Sequence, residues 1–531
     1  MVLFKKFIRK HFYISFLFLF IGLLFGLSYA LNLLGVNINS QIFTAYNLRS
    51  VHISLMLYGF VPLLLSFLPF FLIVKEVNHV SYKGLAYLEI FVRVWYLFLI
   101  FMIVTLLFGN HRGLAFYDFP YVLNFILAFN GIFYILALLK FLSLYEKLPL
   151  WVKVSRIIVL IAPLLLLLLM NPKIGQVEQT INGPHGDNTL GMSFALIPLY
   201  YLIFKYLNED EFKARWNLLW MIPLLGYIMT ILYRVWIGSL SYNWEWVAQY
   251  LTLLYIPLLY RWYKDSVILE GSRKLLRISI VAFLFVDIEG NILFIPQIRW
   301  IFHRNDLVVA HAHIALGVGV LFMILALFSK IIEPLQKQIF SIMYIIGMLG
   351  ILFSLSYAGF IEAGLIDADV WKYWLFRLLF AFFVIGAWIP FFRYLIKWKI
   401  TPLVLYHIIG LFSDLLGGFL LFLFADFLYP LLGFGFVGGY QYVVFAFMMG
   451  TGIVHLFGLI RPVLAYEMAE ITAYIRIVVA AFFFSLFLNH TLDSVALVVS
   501  IYDFVYAVLF LWFVYQNFIE NSQNSISIHK K

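Results

Sequence analysis

Apolar stretches of about 20 residues, separated by short polar turns, recur along the whole chain, and each is long enough to cross the hydrocarbon layer of a bilayer as a helix. Roughly sixteen such runs can be marked, the first beginning near residue 12 and the last near residue 492. They are too long for barrel strands, and backbone polar groups in lipid need partners within their own segment, so the pattern predicts helices. Neither a soluble domain nor an internal repeat interrupts the series, and residues 171–187 and 261–275 read as polar connectors. The basic stretch from Arg393 to Ile400 separates about twelve spans from a final four. The expectation is an all-α, polytopic transmembrane helix bundle, with a core over residues 1–396 and additional helices over 397–531.

Composition sets the solvent. Of 531 residues, 64% are hydrophobic, 20% aromatic and 12% charged, and the mean hydropathy is +0.99. No soluble fold hides that much apolar surface, so a lipid bilayer is the expected surroundings. The net charge of +10 would suggest nucleic acid in a soluble protein, but here the basic residues fall in alternate loops, the pattern of membrane orientation. Lys5, Lys6, Arg9 and Lys10 precede the first run, and Lys140, Lys147, Arg156, Lys213, Lys264, Arg277, Lys397 and Lys531 fall on the same side by the span count. This predicts a multi-pass protein of the inner membrane with both termini cytoplasmic and no nucleic-acid partner. No signal cleavage site follows the first run, which reads as an anchor. The chain has no cysteine, which excludes disulfides, thiolate metal centres and c-type haem attachment on this chain. A redox centre here must use histidine.

Ionisable side chains inside lipid are costly and tend to be functional, so the twelve histidines are sorted by depth. His11, His79 and His529 fall in cytoplasmic segments, where solvation is expected, whereas His52, His303, His311 and His313 fall at the outer ends of the second and tenth runs. His311 and His313 are two residues apart on a helix, about 200° of rotation, so their rings face opposite sides. Two flat macrocycles flanking the helix would take one imidazole each as an axial ligand to iron. His52 then supplies the opposite ligand of one haem and leaves the other haem open. The competing reading is of buried histidines hydrogen-bonded between helices.

The segment Asp-Leu-Val-Val-Ala-His-Ala-His-Ile-Ala-Leu-Gly, from Asp306 to Gly317, resembles the tenth helix of the catalytic subunit I of haem-copper oxidases, and His52 on the second span agrees with that family. The resemblance covers about residues 12–395. It implies that His311 binds a high-spin, open haem, that His52 and His313 pair on a low-spin haem, and that His303 lies near the haem propionates. Glu289-Gly290, fourteen residues before His303, is similar to the C-type oxidases, whose relatives include the nitric oxide reductases. Asp118, in Gly-Leu-Ala-Phe-Tyr-Asp-Phe-Pro, resembles the second acid of that branch's Gly-Arg-Glu-Tyr-Ala-Glu loop, with Ala115 in place of the first.

Family members that reduce oxygen or nitric oxide hold a second metal beside the open haem, with one histidine on helix 6 and an adjacent pair on helix 7. In this chain Gly186-Asp187-Asn188-Thr189-Leu190-Gly191 sets Asp187 where the branch has histidine, with His185 as the shifted alternative. The segment from Leu232 to Gly238 resembles the reductases' His-His-Phe-Phe-Trp-Ile-Gly but contains no histidine. Imidazole is the usual ligand for copper or non-haem iron in such a site, so the distal metal is expected to be absent. Asp187 and Arg234 are then read in one of two ways. As a carboxylate and guanidinium pair they fill that space, with Arg234 stabilising an anion on the open iron; otherwise they are a loop residue and a snorkelling arginine. Glu289 is the candidate for moving protons to or from the open haem, with a helix-packing hydrogen bond as the alternative. Tyr227 and Tyr233 read as packing or interface aromatics. His407 and His455 read as single polar contacts between helices, with an extra site as the alternative.

With the resemblance, these residues imply a catalytic redox subunit. Electrons from a quinol or from a cytochrome-bearing partner subunit enter at the low-spin haem, and a small gas, oxygen or nitric oxide, is reduced at the open one. The alternative is a haem protein that has lost the distal metal and serves as an electron carrier or gas sensor. A haem-free transporter leaves the histidine geometry unexplained.

Overall fold

The computed structural model describes residues 2–36, 42–113, 118–149, 152–153, 196–215, 217–238, 241, 244, 247, 250–293, 295–302, 305–395, 401–431, 435–436, 438–492 and 494–528. Every regular element among them is helical, with no strand among the described residues. Ten of the described helices are long and apolar enough to cross a membrane, which fits a multi-pass protein in a lipid bilayer. Large apolar side chains face outward: Phe353 is 65% and Phe447 75% exposed. Lipid removes the penalty that such surface would carry in water.

The chain divides into two compact units, one over Met1–Val36 and Ala45–Leu395, the other over Asn37–Thr44 and Ile396–Lys531. In the first unit, α1 (Val2–Leu33), α2 (Ala45–Val77), α3 (Tyr82–Leu107) and α4 (Leu123–Leu142) are followed by the shorter α5 (Ile197–Leu207), α6 (Leu218–Trp236) and α7 (Tyr255–Asp265). Then come α8 (Glu270–Leu293), the short α9 (Pro296–Phe302), α10 (Asp306–Phe328), α11 (Gln338–Glu362) and α12 (Val370–Leu395). Most of residues 261–275, which read as a polar connector, is helical, because α7 runs to Asp265 and α8 starts at Glu270.

Local chemistry fixes the helix ends. Asn78 closes α2 in the left-handed region at φ 53°, donating its N–H to Val74 O. The Ser81 side chain then accepts from Gly84 N to start α3. Asn305 is extended and accepts from Leu307 N, capping α10. Every residue from Leu321 to Phe328 is buried, so the second half of α10 is apolar all round and forms the centre of the first unit. Gly359 of α11 lets the α10 backbone come close: a Cβ there would lie 2.6 Å from Leu307 N.

The helices that carry His52 and His313 both widen just past those histidines. A π-helical turn covers Leu55–Phe60 in α2, after His52, and another covers Ala315–Val320 in α10, after His313. Such turns loosen the i to i−4 ladder, and side chains from neighbouring helices bond to carbonyls within them. Trp95 Nε1 of α3 donates to Tyr58 O at 2.9 Å, Tyr344 OH of α11 to Gly317 O at 2.9 Å, and Ser279 Oγ of α8 to Gly319 O at 2.6 Å.

In the second unit, α13 (Pro402–Phe422), α14 (Tyr440–Ile460), α15 (Ala465–Leu488) and α16 (Ser494–Ile528) follow. Thr401 caps α13 by accepting from Val404 N, with Pro402 in the first turn, where its missing N–H costs nothing. A third π-helical turn, Leu411–Leu416, lies in α13 four residues after His407.

Candidate functional site

His52 on α2 and His313 on α10 face each other, with ring centroids 6.2 Å apart and planes 25° from parallel. Each ring is held by its Nδ1: that of His52 donates to Gly22 O on α1 at 2.8 Å, and that of His313 to Val309 O, one turn earlier on its own helix, at 2.7 Å. A carbonyl only accepts, so both Nδ1 atoms carry the hydrogen, and each neutral ring keeps its lone pair on Nε2. This is the tautomer a metal needs, fixed by a second hydrogen bond as metal-binding histidines commonly are. A metal bonded to both Nε2 atoms at about 2 Å, with roughly 1 Å from each nitrogen to its ring centre, sets the centroids about 6 Å apart. The observed spacing fits. Gly26 makes the arrangement possible, since a Cβ there would lie 2.5 Å from Nδ1 and 2.6 Å from Cε1 of His52.

His311 points elsewhere, as two residues on one helix must. Its Nδ1 lies 3.1 Å from Glu289 Oε2 on α8, and the two side chains are 20% and 17% exposed. Glu289 therefore stands behind the imidazole, in the position of a carboxylate that orients a ligand histidine. Two residues before it on α8, Asp287 is buried and accepts from Thr252 Oγ1 at 2.8 Å and from Asn291 Nδ2 at 3.1 Å. Its Oδ2 has no hydrogen-bond partner among the described residues.

A further group belongs to the His52 and His313 side. Arg377 on α12 is only 8% exposed, yet its Nε and Nη2 have no hydrogen-bond partner among the described residues. Its charge lies within electrostatic reach of both histidines and of Asp306 and Glu362. A buried guanidinium with open donors suits a planar anionic group, and a carboxylate on the edge of a macrocycle is one. Bis-imidazole spacing, locked tautomers and an orphaned guanidinium together fit a haem between α2 and α10, and His311 with its carboxylate fits a second axial ligand.

On the same side as His52, Asp118 ties the segment after α3 to the start of α2. Its carboxylate accepts from Ser50 Oγ, from Arg112 N at 3.1 Å and from Gly113 N at 2.8 Å, and it lies 3.4 Å from His111 Nδ1.

His303, His185, Asp187 and Ala115 lie outside the described residues, as does the side chain of Arg234, whose backbone belongs to α6, so both readings of Asp187 and Arg234 lie outside the described residues too. His11 is buried rather than solvated, because its face of α1 turns toward α3: its ring bonds to Tyr96 OH at 2.9 Å and to Glu89 Oε2 at 2.8 Å. His407 and His455 contact each other, with Nδ1 atoms 3.1 Å apart, and belong to a wider buried network rather than to a single contact.

Sorting by histidine overlooks Arg377 and Asp287, although both are charges placed within helices of an apolar bundle, the signal that singled out Glu289. The chain matches no family model and no curated protein.

Proposed function

We propose that the chain is a membrane dihaem oxidoreductase subunit of the haem-copper oxidase kind, nearest the C-type oxidases and nitric oxide reductases, with about twelve core spans and four additional ones. The observation that carries this reading is the His52 and His313 pair, 6.2 Å between centroids, each ring presenting Nε2 because its Nδ1 is bonded to a backbone carbonyl. His52 and His313 would hold a low-spin haem and His311 an open one; when bound, such groups supply one-electron transfer and an open iron position for oxygen or nitric oxide.

The chain's own part is positioning. Gly22 O and Val309 O hold the two imidazoles in one tautomer and one orientation. Glu289 accepts from His311 Nδ1 and makes that ring a stronger donor, in addition to its expected part in moving protons. Arg377 supplies a fixed positive charge and free donors on the other side of α10. Electrons come from a quinol or a cytochrome-bearing partner subunit, since without cysteine the chain attaches no c-type haem of its own. The loop charges favour an inner-membrane location with both termini cytoplasmic.

One observation favours a second reading, an electron carrier or gas sensor: the Leu232–Gly238 segment of α6 and its continuation carries no histidine for a distal metal. Comparing purified His311→Ala with His313→Ala tests the assignment. His311→Ala is expected to lose carbon monoxide binding and keep the low-spin spectrum, and His313→Ala to do the reverse. Identical spectra in both would sink it. Turnover with oxygen or nitric oxide by the wild-type protein then separates enzyme from carrier.

A further inference from the structure

The second unit buries charge in the middle of its apolar helices. Asp414 on α13, Arg476 on α15 and Asp503 on α16 are 5%, 4% and 7% exposed. Arg476 Nη2 reaches both oxygens of Asp414, at 2.6 and 2.7 Å, and Nη1 donates to Asp503 Oδ1. The guanidinium also lies over the Tyr506 ring, 4.1 Å from its centroid, with Tyr502 at 5.5 Å. Ser413 Oγ adds a hydrogen bond to Asp414 at 2.8 Å. One cation thus faces two carboxylates, and the other titratable groups packed around them are Tyr406, Tyr502, Tyr506, His407 and His455. If those remain neutral, the cluster has one negative charge too many for a site sealed from water.

Hydrogen-bond bookkeeping leads independently to the same count. His407 and His455 are fully buried. His407 Nε2 lies 2.7 Å from Ala465 O, which only accepts, so that nitrogen carries hydrogen. A neutral His407 then has a bare Nδ1, and the 3.1 Å contact to His455 Nδ1 requires the latter to donate. A neutral His455 is left with a bare Nε2. That atom has no hydrogen-bond partner among the described residues and lies 3.7 Å from Asp414 Oδ2, lone pair against carboxylate. One added proton, on His455 Nε2 or on Asp414, turns this repulsion into an attraction that draws the two atoms together, and also cancels the surplus charge.

We propose that the second unit holds an intramembrane proton-binding site, in which His455 and Asp414 share one proton, His407 sets the tautomer of His455, and Arg476 with Asp503 sets the charge balance. The packing is built for these two rings. A Cβ on Gly458 would lie 2.4 Å from His407 Cε1 and one on Gly410 2.2 Å from His455 Nε2, so each imidazole lies against a glycine of the opposite helix. The π-helical turn Leu411–Leu416 places Asp414 at its centre. A proton suits this site better than a metal ion: no group of three or more histidine and carboxylate side chains converges on a common point among the described residues.

The test is nitrogen NMR of the full-length chain, labelled with 15N-histidine, in phosphatidylcholine nanodiscs. The His407 and His455 pair is identified by coupling across its Nδ1 to Nδ1 hydrogen bond, which needs no variant. At neutral pH, His455 is expected to be doubly protonated or to accept a strong hydrogen bond at Nε2. In Asp503→Asn the surplus negative charge is gone, so holding the proton should take roughly tenfold or more higher proton concentration. A bare, unbonded Nε2 in the wild-type chain overturns the proposal, and so does an unchanged proton affinity in Asp503→Asn. Should that variant fail to fold, the wild-type spectrum decides by itself.

Discussion

Replacing Gly26 by alanine puts one methyl group where His52 already sits. The new Cβ would lie 2.5 Å from Nδ1 and 2.6 Å from Cε1, against an ordinary contact distance of about 3.5 Å, so the ring must retreat by about 1 Å. That retreat stretches the Nδ1 to Gly22 O bond from 2.8 Å to beyond hydrogen-bonding range. Overpacking of this kind costs about 1–3 kcal/mol, with about 1 kcal/mol more for the lost hydrogen bond. The larger consequence is functional, because a metal bond of about 2 Å does not stretch by half its length to follow the ring. Gly26→Ala should therefore lose most of the six-coordinate low-spin signal, read by absorption and electron paramagnetic resonance, while carbon monoxide binding at the His311 side persists. Gly131→Ala is the matched control, since nothing lies within 4 Å of its Cβ and alanine favours the helix. A Gly26→Ala protein with a full low-spin spectrum would refute the placement of His52 as a ligand.

Three further outcomes follow from the same geometry. Glu289→Gln keeps the shape but removes the charge facing His311 Nδ1, so the open haem should be retained about 10–100-fold less well in dilution or competition assays, with the low-spin haem unaffected. Arg377→Met removes a buried cation with unsatisfied donors; it should leave the haem-free protein as stable or more stable in thermal unfolding, and lower haem occupancy after reconstitution. Arg476→Met leaves Asp414 and Asp503 uncompensated and should destabilise the second unit by about 3–5 kcal/mol in denaturant titrations, most of it recovered by adding Asp414→Asn and Asp503→Asn.

Helices, membrane and the divergence of His311 from His313 were legible because each leaves a direct trace in the sequence. Lipid demands long apolar runs, and two residues of helix rotation alone send His311 and His313 to different neighbours, α8 and α2. The π-helical turn of α10 was not legible, since Gly317 and Gly319 are compatible with a straight helix and only the bonds from Ser279 and Tyr344 show where its carbonyls find outside donors, whereas in α2 Pro62 has no N–H for the Tyr58 carbonyl four residues earlier, the one that Trp95 fills. His11 was misread because its place beside the basic residues Arg9 and Lys10 says nothing of the Glu89 and Tyr96 that cover it from α3. Arg377, Asp414, Arg476 and Asp503 were visible as charges within apolar helices, but their partners lie on other helices, at separations no local pattern reveals.

The central claim is that this chain holds two haems in unlike coordination, and one measurement addresses it directly: the reduced-minus-oxidised absorption spectrum of the purified full-length protein, with and without carbon monoxide, alongside iron analysis. Two haem irons per chain, one shifted by carbon monoxide and one not, is the predicted result. A protein without haem, or with both haems responding alike, would contradict the account.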